Sequence, residues 1–118
     1  MPVTHVKSEE QFEEFINTKK YDFVFVDFYA DWCGPCKRIA PKLETMSSEF
    51  PSVLFLKVNV DELDDLSKHY KVKCMPTFKL FRRGNTESEY DTIEGASEDK
   101  IRNLLKNPTK SVVVSDDF

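Results

Sequence analysis

Phe23-Val24-Phe25-Val26 is an unbroken run of aromatic and β-branched residues. A strand that is apolar at every position needs cover on both faces, which confines the chain to a layered fold with helices on either side of a sheet. The run continues through Asp27 to Tyr29 and leads almost directly into Trp32-Cys33-Gly34-Pro35-Cys36. A helical pattern then extends to Phe50. The two cysteines therefore stand at a strand-to-helix junction.

The remaining elements follow from periodicity. Residues 3–6 read as a short strand. Ser8 caps a helix, Gln11 completes a capping-box pattern, and Phe12, Phe15 and Ile16 form its apolar face. Ile39, Leu43, Met46 and Phe50 line one side of the helix after Cys36. Pro41 lies inside that helix, where a missing backbone donor predicts a kink. Residues 53–60 read as a second central strand, followed by a short helix around Leu63 and Leu66. Residues 77–81 and 88–94 read as strands joined by a turn at Gly84-Asn85. Ser97 caps a last helix with Ile101, Leu104 and Leu105 inward. The order β-α-β-α-β-α-β-β-α predicts an α/β sandwich with a mixed sheet, because the closing hairpin is antiparallel. Asn107-Pro108 breaks the last helix, so the reading is a domain over residues 1–106 and a flexible tail over 107–118.

Composition narrows the function. The chain has 118 residues, 40% of them hydrophobic, with ten Phe, which supports one domain with its own core. Three cysteines do not make a disulfide framework. The net charge of −4 and the lack of a basic stripe, Arg82-Arg83 being only a pair, weigh against nucleic-acid or anionic-membrane partners. The opening residues are polar and charged where a secretory signal would be apolar. Residues 23–30, the longest apolar stretch, are too short to span a bilayer. The expected compartment is the cytoplasm, where a Cys-x-x-Cys is redox-active or metal-binding.

A cysteine at a helix N-terminus meets unsatisfied backbone N–H groups and the positive end of the macrodipole. Such placement lowers a thiol pKa from about 8.5 into roughly the 3.5–7.5 range. Cys33 is the expected nucleophile, accessible and partly ionised, and Cys36, one turn inward, the resolving thiol. A bridge this short contributes only about 2 kcal/mol through chain closure, against about 4.7 for a 100-residue loop, so it serves as a switch more than a staple. Half of a zinc site and a pair of inert core thiols are the other readings. Zinc needs a second ligand pair, and Cys74, His5 and His69 lack that spacing; no metal is expected. Pro35 is tolerated in a first helical turn, and Gly34 leaves room for a partner's backbone.

Asp27 interrupts a strand that should be buried. It reads either as an acid/base group with a pKa raised by desolvation, moving the proton of Cys36, or as a satisfied polar residue at a strand end. Lys57 is its charge partner or an exposed strand lysine. Trp32 is a contact surface in preference to a core aromatic. Pro76, after Met75, fits a tight turn of either isomer. Cys74 is read as exposed and is a candidate regulatory thiol.

Asp27, the Trp32-to-Lys37 run, Pro41, Met75-Pro76-Thr77-Phe78 and Gly95 together resemble thioredoxin. The similarity spans residues 3–106, and the combination is far more specific than a lone Cys-x-x-Cys. It implies a central five-stranded mixed sheet flanked by four helices. It also implies nucleophile, resolving and assisting roles for Cys33, Cys36 and Asp27, with Gly34, Pro35 and Lys57 tuning the dithiol. Pro76 would be cis, Met75 would pair with a polypeptide substrate beside Trp32, and Gly95 would edge that groove. The implied activity is protein-disulfide reduction with no bound cofactor, NADPH entering only through thioredoxin reductase. Disulfide proteins such as peroxiredoxin or ribonucleotide reductase are the implied substrates of a monomer, with a Cys74-linked dimer as a further state. Leu63 and Tyr70 stand where vertebrate forms carry extra thiols, and residues 107–118 have no family counterpart. A secretory disulfide oxidase or isomerase and a redox-gated binding subunit are the rival classes.

Overall fold

The computed structural model describes residues 3–82 and 91–108. Its elements run β1 (Thr4–His5), α1 (Glu9–Ile16), β2 (Phe23–Tyr29), α2 (Gly34–Glu49), β3 (Val53–Asn59), α3 (Asp64–His69), β4 (Thr77–Arg82), β5 (Asp91–Glu94) and α4 (Glu98–Lys106). This is the expected order, and it builds a thioredoxin fold with a five-stranded sheet ordered β1-β3-β2-β4-β5. β1 and β2 both pair parallel with β3, whereas β4 is antiparallel to β2 and β5. The Gly84-Asn85 turn, residues 88–90 of the last strand, and tail residues 109–118 lie outside the described residues.

β2 occupies the middle of the sheet because both of its faces are apolar. Val24, Val26 and Phe28 join Phe12 and Ile16 of α1 and Leu66 of α3 in one core cluster. On the opposite face Phe25 meets Ile39, Leu43 and Met46 of α2 and Ile101 and Leu105 of α4. Alternation along β2 thus sorts the helices into two layers. Phe25 stacks on Phe78 at a centroid distance of 5.4 Å and tilts against Phe55 at 5.3 Å.

Capping follows the sequence with one change. The Ser8 and Ser97 hydroxyls accept from the N–H groups of Gln11 and Lys100. Gln11 reaches back, but its Oε1 accepts from Lys7 N at 2.6 Å and not from Ser8. Pro41 lies inside α2, which runs unbroken to Glu49. Its ring supplies no N–H to the Lys37 carbonyl, yet apolar packing on either side of the proline holds the helix. Arg102 bonds Glu98 within α4 and reaches Glu49 at the end of α2, tying the two helices of that layer.

Replacing Phe25 with Ala should lower unfolding stability by about 3–5 kcal/mol, because the cavity opens between the Phe55 and Phe78 rings and α2. Ser97→Ala should cost only about 1 kcal/mol, the usual value of an N-cap. Urea denaturation of both variants checks that order.

Candidate active site

The site forms where β2 ends and α2 begins. Cys33 is the N-cap of α2, in extended conformation, and its sulfur takes the part a Ser or Asp oxygen usually plays. Cys36 N donates to Cys33 Sγ at 3.1 Å, and Cys33 N donates to Ala30 O at 3.2 Å. Gly34 and Pro35 fill the first turn, where the proline's missing donor leaves no helical bond unmade. Cys33 and Cys36 are joined by a disulfide, with their Cα atoms 5.3 Å apart.

The charge around this turn favours a thiolate. α1, α3 and α4 each begin with paired acidic residues, Glu9-Glu10, Asp64-Asp65 and Glu98-Asp99. α2 has no acid in its first turn. Its positive end therefore faces the Cys33 sulfur uncompensated, and Lys37 and Arg38 follow directly.

The expected contrast in access between the two sulfurs does not hold for the bonded pair. Cys33 is 5% exposed and Cys36 4%; the two cluster with Ala30, and Tyr29, Val60 and Met75 pack against that cluster. What separates the two residues is their place on the helix: one caps it and the other lies within it.

Asp27 is buried at 6% exposure, and its Oδ1 has no hydrogen-bond partner among the described residues. It shares a face of β2 with Phe25, the face on which α2 packs. Moving one step from Phe25 toward the strand end, and one turn back along α2 from Ile39, brings Asp27 and Cys36 to the same end of that interface. Lys57 is Asp27's register partner on β3 and points to the same side. Burial raises the Asp27 pKa from 3.8 to about 7, with the Lys57 charge pulling the other way. Lys57 is half-buried, its Nζ 5.9 Å from the centre of the Tyr29 ring. The orphaned Oδ1 argues against the reading of Asp27 as a satisfied polar residue at a strand end.

A rim surrounds the dithiol. Trp32 is 67% exposed, and its Nε1 donates to Asp61 Oδ2 at 3.1 Å. Asp61 is fixed in turn by its own N–H donating to Asn59 Oδ1 at 2.8 Å. The Met75–Pro76 peptide is cis. Pro76 O accepts from Gly95 N at 2.9 Å. Gly95 has φ +97°, a left-handed geometry that disfavours any side chain. Cys74, the residue before Met75, is exposed, with its carbonyl accepting from Thr77 Oγ1 at 2.6 Å.

Sequence reasoning missed Asp61 and Asn59, which anchor Trp32, because no local pattern announces a contact across 29 positions. Another long-range contact with no local signal is that of His5 Nε2 with Glu62 Oε1 at 3.0 Å. Among the described residues no group of three or more His, Cys, Asp and Glu is placed to hold a metal ion.

Comparison with known proteins agrees with this geometry. The family profile described as Thioredoxin matches residues 3–107. Thioredoxin of Geodia cydonium is 41% identical over 104 residues, covering 88% of this chain and 96% of that protein. The X-ray structure of Fasciola hepatica thioredoxin superposes with a TM-score of 0.81 at 37% identity, covering 89% of this chain and 98% of the other. A chain from a study of thiol resolution in a yeast mitochondrial 1-Cys peroxiredoxin by glutathione and thioredoxin systems has a TM-score of 0.79 at 33% identity, covering 89% and 94%. On the match across nearly the whole described chain, together with the bonded Cys33–Cys36 pair, this protein belongs to the thioredoxin family of protein-disulfide oxidoreductases.

Proposed function

We propose that this protein reduces disulfides of cytoplasmic proteins with Cys33 as nucleophile, Cys36 as resolving thiol and Asp27 as the group that takes the Cys36 proton. The observation that carries the assignment is the place of Cys33 at the cap of α2, its sulfur already accepting the Cys36 N–H. In the reduced protein that bond and the helix dipole stabilise negative charge on Cys33.

The thiolate attacks one sulfur of a substrate disulfide. The Cys33–substrate bond forms, the substrate S–S bond breaks, and one substrate thiolate leaves. Cys36 then passes its proton to Asp27 and attacks the Cys33 sulfur. The internal disulfide closes as the second substrate thiolate departs. Two electrons have moved from the protein to its substrate, and a thioredoxin reductase returns them from NADPH.

Peroxiredoxins and ribonucleotide reductase are substrates of the right kind. The structural likeness to a chain studied in peroxiredoxin thiol resolution supports the first. The exposed Trp32 and the Met75–Pro76 backbone beside the dithiol supply the docking rim. The protein works as a monomer, with exposed Cys74 able to link two copies under oxidant.

Insulin reduction driven by NADPH and a thioredoxin reductase should proceed with the unaltered protein and stop in Cys36→Ser. That variant should accumulate mixed disulfides visible on non-reducing gels. Mixed disulfides collecting on Cys36 in a Cys33→Ser variant at the same rate would reverse the assignment.

Asp27 gives a pH signature. Its folded-state pKa of about 7 exceeds the value of 3.8 for a free side chain, so the native state holds the proton more tightly. The resulting stability is fully present below pH 3.8 and is lost as pH rises through about 7. The span corresponds to roughly 4 kcal/mol. Asp27→Asn should therefore unfold at higher denaturant than the parent at pH 8, with the difference shrinking toward pH 4. A difference that stays constant across that range would count against a buried, proton-holding Asp27. Turnover of the same variant should be slower, and its rate should no longer change with pH near 7.

A further inference from the structure

A groove of about 310 Å³ lies between α2 and the start of α4, lined by Arg38, Ile39, Lys42, Ala96 and Glu98. Buried Ile39 forms its apolar floor, and the walls carry charge. Lys42 and Glu98 are spent on each other at 3.3 Å, and Glu98 is engaged a second time by Arg102. Arg38 is different. It is exposed and makes no hydrogen bond or ion pair among the described residues.

Its guanidinium is not pointed away from the chemistry. Arg38 Nη1 lies 3.5 Å from the position a Cβ on Gly34 would occupy, so the side chain folds back over the turn between the two cysteines. The other wall reaches the dithiol too, since Gly95, next to Ala96, is bonded to the carbonyl of Pro76. The groove is thus continuous with the dithiol rim and presents one unpaired cation at that end. The protein as a whole carries a net charge of −4, so this local excess stands against the general sign of the surface.

We propose that Arg38 and this groove form a specificity subsite that takes an acidic side chain of the substrate polypeptide beside the disulfide under attack. The inference rests on the disulfide-reductase reading above and adds a substrate preference to it. A carboxylate entering over Ile39 meets a guanidinium whose planar fork of donors suits bidentate pairing. The paired Lys42 and Glu98 define the far end of the groove without competing for it.

The test is kcat/KM for disulfide peptides carrying Glu, Gln or Lys at successive positions beside the reactive cysteine. The reduced protein is compared with its Arg38→Gln and Arg38→Glu variants at low salt. At one position the unaltered protein should favour Glu over Gln by about fivefold, the scale of a solvent-exposed ion pair, and salt should erode the preference. Arg38→Gln should bring that ratio to about one, and Arg38→Glu should shift the preference to Lys. An unchanged ratio in Arg38→Gln overturns the proposal. So does an equal loss on all peptides, which would mean that Arg38 acts on the dithiol and not on the substrate. A preference for Lys in the unaltered protein would assign the groove to Glu98 instead. If the unaltered protein reduced none of the peptides, the reductase reading would fall along with the subsite; reduction of all at one rate would remove the subsite alone.

Discussion

Burial of β2 on both faces is the constraint from which the rest of the structure follows. With side chains packed against α1 and α3 on one side and α2 and α4 on the other, the strand leaves only its ends in contact with the surface. Chemistry is therefore confined to the point where the chain leaves the sheet, and Cys33 stands there. The one polar residue within the strand, Asp27, shares the layer of α2 and inherits a low-dielectric setting from the same packing.

Electrostatics separates this helix start from the others. Acidic first turns neutralise the dipoles of α1, α3 and α4 and stabilise those helices locally. At α2 the same device would oppose a thiolate, and it is missing. Local helix stability is given up there in favour of a reactive sulfur, a common relation between active sites and the scaffold that carries them.

Much of the fold was legible in the residues. The order of elements, the Ser8 and Ser97 caps, and the Asp27, Cys33 and Cys36 constellation all come from local pattern, because spacing and capping act within a few positions of the chain. The strand order β1-β3-β2-β4-β5 was not readable from periodicity, since it depends on which strands meet and not on how each one looks; the family resemblance implied only a five-stranded mixed sheet. The Trp32–Asp61 and His5–Glu62 contacts were hidden for the same reason. The similar burial of Cys33 and Cys36 escaped the reading because it took them as two separate thiols and not as a closed bridge. Gln11 bonding to Lys7 in place of Ser8 is a smaller miss, one residue in the direction of a side chain.

The bridge closes within a single turn of α2, between residues already adjacent in space. No two elements of secondary structure are fastened by it, and the apolar layers on either side of the sheet are complete without it. The scaffold can consequently mature in a reducing environment and keep one architecture while electrons pass through, so that each cycle rearranges a few atoms at a helix tip and leaves the load of maintaining shape to the phenylalanines behind it.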